Sequence, residues 1–99
     1  MKILALEREV SGVSRDSFTD DVLREEAAAA WHLHRLGVIR EIYFRSDRHT
    51  AVLLLECAGV DEACEILAAL PLVKKGLIEF ETIPLETYTG FERLFENSR

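Results

Sequence analysis

The residues best suited to chemistry lie in one strand-like run and one helix-like run. In Ile39-Arg40-Glu41-Ile42-Tyr43-Phe44-Arg45 an acid, a phenol and a guanidinium recur at alternate positions. A strand turns successive side chains to opposite faces, so Glu41, Tyr43 and Arg45 share one. Arg45 there would grip a substrate carboxylate through two parallel N–H donors, and Tyr43 would supply a flat wall and a hydroxyl. Glu79 and Glu81 repeat the spacing further along and would add acid to the same cavity, where two close carboxylates push one pKa upward. The same groups would equally serve as a polar stripe between subunits, paired with Arg40, Arg45 or Arg48. Glu26 is four residues from both Val22 and Ala30 and seven from Leu33, on or beside a helical apolar stripe. A carboxylate in that position is desolvated and its pKa rises, which suits a general base. Glu25 takes its place if the helix is turned slightly.

Other chemistries find little support. His32 and His34 are two apart on a helix and diverge by roughly 200°, so they cannot share a metal ion. His49 stands alone in a polar break. No paired-ligand spacing appears, and we expect neither metal nor cofactor. Cys57 and Cys64 have no CxxC arrangement and read as buried thiols. A net charge of −6 over 99 residues opposes a nucleic-acid surface. No apolar run approaches the roughly 20 residues of a membrane span, and Glu7, Arg8 and Glu9 interrupt the start too early for a secretion signal. The expectation is a cytoplasmic protein with no nucleic-acid or membrane partner.

Positioning these groups requires a small sheet backed by helices. The length is that of a single domain, 1–99. Lys2 to Val10 reads as a strand with imperfect alternation. Thr19 and Asp20 open a helix that runs to Leu36 and stops at Gly37. Val38 to Arg45 and Thr50 to Cys57 form a hairpin around Ser46-Asp47-Arg48-His49. Val60 to Leu70 is a second helix, ended by Pro71, and Leu77 to Leu85 is the last strand, with Pro84 marking an edge. The order β-α-β-β-α-β is the ferredoxin-like α+β arrangement: a four-stranded antiparallel sheet with two helices on one face. The other face is expected to carry Ile39, Tyr43, Leu53, Leu55, Leu77 and Ile83 beside Glu41, Arg45, Glu79 and Glu81. Such a surface is seldom left in water; a second copy covering it would make a dimeric α+β barrel with a semi-polar lumen. Residues 86–99 form an arm whose Tyr88, Phe91, Leu94 and Phe95 should dock on the body or on a neighbouring subunit.

From Glu25 to Ile83 the chain resembles the muconolactone isomerase family. Glu25-Glu26, Gly37, Arg40, Tyr43, Arg48, Glu56, Glu62, Leu70-Pro71-Leu72, Ile78-Glu79 and Pro84-Leu85 carry the likeness. The resemblance implies a dimeric ferredoxin-like barrel that often assembles further, and a small metal-free pocket between sheet and helix. It also implies proton transfer that moves a double bond in an unsaturated lactone acid. Glu26 would then be the base, Arg45 the anion anchor and Tyr43 the pocket wall. Ala27 departs from the family, which has a lysine there; Ile39 and Glu41 replace its aromatic and histidine positions. A non-catalytic oligomeric module that binds a small molecule or merely assembles is therefore the second expectation. A cofactor-free oxygenase of the same architecture is a third.

Overall fold

Thr19 Oγ1 accepts the N–H of Val22 at 3.2 Å and opens the long helix α1, Asp20–Arg35, at the residue the sequence marks. At its other end the Leu36 N–H reaches back to the carbonyl of His32. Gly37 then turns the chain with φ of 80°, a backbone region that costs a residue with a Cβ about 1–2 kcal/mol. The computed structural model describes residues 1–96. Around α1 stand the strands β1 (Lys2–Glu9), β2 (Ile39–Phe44), β3 (Ala51–Glu56) and β4 (Ile78–Pro84). Helix α2 spans Val60–Ala68, and a short helix, α3, spans Pro71–Lys74 between α2 and β4. The strands make one antiparallel sheet in the order β2-β3-β1-β4. This is the expected ferredoxin-like α+β arrangement, and β4, which ends in Pro84, lies at an edge.

The core lies between the sheet and the helices. Ile3 and Ala5 of β1, Leu53 and Leu55 of β3, Ile39 of β2 and Ile78 of β4 are buried there, with Ala63 and Leu67 of α2 against them. Burying each large aliphatic side chain contributes about 1.5–3 kcal/mol. Three of the residues expected on the open face, Ile39, Leu53 and Leu55, are thus on the helix side, and Leu77, just before β4, turns towards that side too. Two physical causes account for this. The β2–β3 ladder slips at Arg40, so that Ile39 faces Leu55 while Glu41 faces Leu54; an extra residue in one strand reverses the facing on either side of it. In β3 both faces are aliphatic, so alternation leaves no mark except at Glu56, which shares its face with Leu54 and Val52. Cys57 is buried as expected, but Cys64 is exposed on α2.

The open face carries Leu4, Leu6, Val52, Leu54 and Ile83, all half-buried, with Glu41 and Tyr43 at one margin and Glu79 and Glu81 at the other. The described part of the arm, 86–96, does not dock on its own body: Tyr88, Phe91, Leu94 and Phe95 are exposed, Phe95 by 83%. Residues 97–99 of the expected arm lie outside the described residues.

Candidate active-site cleft

Between the helix-side face of the sheet and α1 lies a cleft of about 1120 Å³. Its walls are mostly apolar, with Leu53, Leu72 and Phe80 on the sheet and α3 side and Leu23, Ala27 and Trp31 along α1. Small alanines on α1 leave the width, since Ala27 and Ala30 both line the space. Into these walls a few polar groups are set, which is the usual composition of a small-molecule site.

Glu26 projects from α1 into this cleft and is half-buried. Its Oε1 accepts the N–H of Leu72 at 3.0 Å. Leu72 belongs to the first turn of α3, where backbone amides have no partner within the helix; Pro71 ahead of it has no amide to offer. Burial pushes the Glu26 carboxyl above its ordinary value, the Leu72 amide draws it back down, and the charge of Glu7 adds to the rise. The raised pKa is the property the sequence led us to expect for this residue.

Glu7 is the second acid of the cleft. It follows Ile3 and Ala5 in the alternation of β1, so it faces the helices. Its Oε1 accepts the N–H of Ala51 at 2.9 Å, one residue beyond the last rung of the β1–β3 ladder, Leu6↔Val52. Burial raises its pKa as well. The Ala51 amide and the nearby His49 oppose that rise, and Glu9 adds to it. The sequence offered one clue to Glu7: it opens the charged run Glu7-Arg8-Glu9 at the end of an apolar strand. With β1 imperfect in its alternation, the facing could not be read.

Two histidines and Glu9 also line the cleft. His34 Nδ1 lies 3.0 Å from the carbonyl of Ile39. A carbonyl only accepts, so Nδ1 carries the hydrogen, and in the neutral ring Nε2 keeps its lone pair. His49 stacks on Phe44 with ring centroids 3.9 Å apart, and both line the cleft. Arg15, from the 3-10 turn Arg15–Ser17, is the cation of the lining. Thr50 is 4% exposed, and its Oγ1 has no hydrogen-bond partner among the described residues. Among those residues no group of three or more His, Cys, Asp or Glu side chains could hold a metal ion.

The remaining residues singled out by the sequence lie elsewhere. Glu41 and Tyr43 do share a face, and Tyr43 Oη donates to Glu41 Oε1 at 2.6 Å; that bond raises the pKa of the phenol. Their face is the open one, with the sheet between them and Glu26. Arg45 follows β2 into the hairpin turn and forks onto Asp47, at 2.9 and 2.6 Å. Glu79 and Glu81 sit on the open face of β4, opposite Arg8 and Leu6. Thus Glu26 is not brought together with Glu41, Tyr43, Arg45, Glu79 or Glu81.

No family model matches the sequence, and no curated protein matches it. Solved structures do. Muconolactone isomerase superposes with a TM-score of 0.70 at 16% identity, covering 90% of this chain and 92% of that one. The 5-chloro-2-hydroxyhydroquinone dehydrochlorinase TftG of Burkholderia phenoliruptrix AC1100, solved in complex with 2,5-dihydroxybenzoquinone, superposes with a TM-score of 0.64. Its identity is 18%, covering 91% of this chain and 98% of that one. The architecture is therefore the small α+β fold of muconolactone isomerase, as the resemblance in sequence suggested. Two enzymes that act on small organic molecules share it.

Proposed function

We propose that the chain is a proton-transfer isomerase, or a closely related enzyme, acting on a small unsaturated lactone or acid held in the cleft between the sheet and α1. The observation that carries this reading is Glu26: a half-buried carboxylate with a raised pKa, anchored through one oxygen to Leu72 N–H in a largely apolar cleft. Such a group is a competent base near neutral pH. Arg15, rather than Arg45, is the cation placed to meet an acidic substituent at the cleft. The fold shared with muconolactone isomerase and with a dehydrochlorinase supports small-molecule chemistry of this kind. The test is the conversion of α-angelica lactone, a neutral β,γ-unsaturated ring, to its conjugated isomer, followed by ultraviolet absorbance. Turnover that follows enzyme concentration supports the reading. The absence of both turnover and any thermal stabilisation by a panel of lactones and small acids removes it.

The open face bears on the same proposal. Leu4, Leu6, Val52, Leu54 and Ile83 form a continuous apolar surface, and a second copy of this chain is proposed to cover it. Glu41, Tyr43, Arg45, Glu79 and Glu81 would then border the enclosed chamber, and the exposed aromatic arm would rest on the neighbour. Sedimentation at micromolar concentration checks this: a dimer or larger assembly is expected, and a stable monomer refutes it. One observation favours the non-catalytic reading: Ala27, which stands where the resembled family has lysine, lines the cleft and puts no cation beside Glu26 on that wall. A cytoplasmic setting is part of the proposal; among the described residues no helix is long and apolar enough to cross a membrane.

A further inference from the structure

The geometry points to Glu7 as a second catalytic residue: with Glu26 it divides one proton relocation, one carboxylate removing the proton and the other carboxyl group delivering one. This rests on the reading of the cleft as a proton-transfer site and adds to it a residue and a division of labour.

The two acids enter the cleft from opposite walls, Glu7 from β1 in the sheet and Glu26 from α1. Each is fixed in the same manner. One oxygen accepts a backbone N–H, from Ala51 at 2.9 Å and from Leu72 at 3.0 Å. Among the described residues the second oxygen of each makes no hydrogen bond and is available to a ligand. A carboxylate placed only to satisfy a strand-end amide would not need to sit half-buried in a cleft that holds another acid. The arrangement costs the fold something in charge burial, because each group is desolvated.

A carboxyl group ionises less readily when a neighbouring carboxylate is already charged. The charge of Glu7 is felt at Glu26. The other groups facing the pair act in both directions: Glu9 on β1 holds protons in the cleft, while His49 from the hairpin favours ionisation of Glu7. Arg15 and His34 complete the charged and titratable lining. Between the ionisation of one acid and that of the other the pair carries a single proton, giving one base and one acid in the same cleft.

An allylic shift in a lactone uses that combination. The carboxylate takes a proton from the ring carbon next to the carbonyl, and the C–H bonding pair becomes part of the new conjugated double bond. The π pair of the old double bond takes up the proton of the carboxylic acid at the far carbon. The substrate keeps its composition, no oxidant or reductant is involved, and the pair ends with its proton on the opposite partner. Exchange with solvent restores the starting state.

The test compares wild type, Glu7→Gln and Glu26→Gln as full-length chains. Gln keeps an oxygen for the Ala51 or Leu72 amide, so each variant should retain the fold. Two readouts are used: the pH profile of α-angelica lactone isomerisation, and carboxyl-carbon NMR titration of labelled glutamate. A bell-shaped wild-type profile is expected. Glu7→Gln should lose one limb and lower kcat by about 10²–10⁴-fold with a much smaller change in KM, and the Glu26 midpoint should fall once its charged neighbour is gone. If Glu7→Gln keeps both limbs and the wild-type kcat, Glu7 is only a strand-end cap and the inference is overturned while the cleft stands. An unmoved Glu26 midpoint overturns the pairing in the same way. A wild type that leaves the lactone unchanged and is stabilised by none of the lactones and small acids sinks the isomerase reading itself, and the role of Glu7 goes with it.

Discussion

Replacing Glu26 with Gln should make the protein less active and more stable. The structure separates the two effects. The side-chain oxygen of Gln can still accept the Leu72 N–H now held at 3.0 Å, so the anchor to α3 survives. What is lost is the capacity to take a proton. Removing a positioned acid or base slows a reaction by about 10²–10⁴-fold, equal to about 2.7–5.4 kcal/mol of barrier. Stability should move the other way. The Glu26 pKa in the folded chain lies above its ordinary 4.5, chiefly through burial. The folded state therefore holds the proton more tightly than the unfolded state, and the ionised form weakens folding at neutral pH. Acidification from above the raised pKa towards 4.5 should stabilise the wild type, while Glu26→Gln lacks that contribution. The melting temperature of the variant should exceed that of wild type at pH 7, and the gap should close as pH falls to 4.5. Scanning calorimetry across that range, beside the lactone assay, measures both. Unchanged turnover would refute the role of Glu26, and a variant less stable at pH 7, with a gap independent of pH, would refute the burial argument.

Other perturbations probe different parts of the account. Leu54→Asp puts a charge on the open face of β3 without touching the cleft, and should yield a monomer by sedimentation with an unaltered far-ultraviolet dichroism spectrum. Leu55→Ala, one position along and fully buried, should instead cost about 2–5 kcal/mol in denaturant unfolding; near-equal effects of the two would contradict the assignment of faces. Arg45→Ala removes an exposed fork onto Asp47, and should leave the lactone KM where it was. An Arg15→Ala variant should weaken the binding of lactones that bear a carboxylate and spare neutral ones, as read by thermal shift.

Much of the fold is legible in the sequence because local signals and burial agree. Thr19, the acids just after it and Gly37 bracket α1 within a residue or two. Pro71 separates α2 from α3, and Ala63 and Leu67 face the core as their spacing suggests. The site is legible only in part. Glu26 stands out because a helical stripe carries it. The strand residues were harder to place, since facing in a sheet depends on register, and the slip at Arg40 sends Ile39 to the opposite side from Glu41. Glu41, Tyr43 and Arg45 have the residue types of a binding stripe, yet two of them bond to near neighbours in sequence, Tyr43 to Glu41 and Arg45 to Asp47. Glu7 is hidden in the sequence because Ile3 to Leu6 are apolar on both faces and Glu7, Arg8 and Glu9 are charged on both, so no alternation marks the face that meets the helices. His34 and His49 have no ligand spacing in the sequence to mark them. The cleft that gathers them with Glu7 and Glu26 arises from the packing of α1 across the sheet, which no single stretch of sequence displays.

The most direct test of the account uses the alternation within β3 itself. With methyl-labelled leucine and valine, α-angelica lactone can be titrated into the protein and the methyl resonances followed by NMR. Leu53, Leu70 and Leu72 line the cleft, whereas Leu4, Val52 and Leu54 lie on the opposite face of the sheet. The account predicts saturable shifts in the first group and none in the second. Shifts confined to Leu4, Val52 and Leu54 would move the binding site to the open face and contradict it.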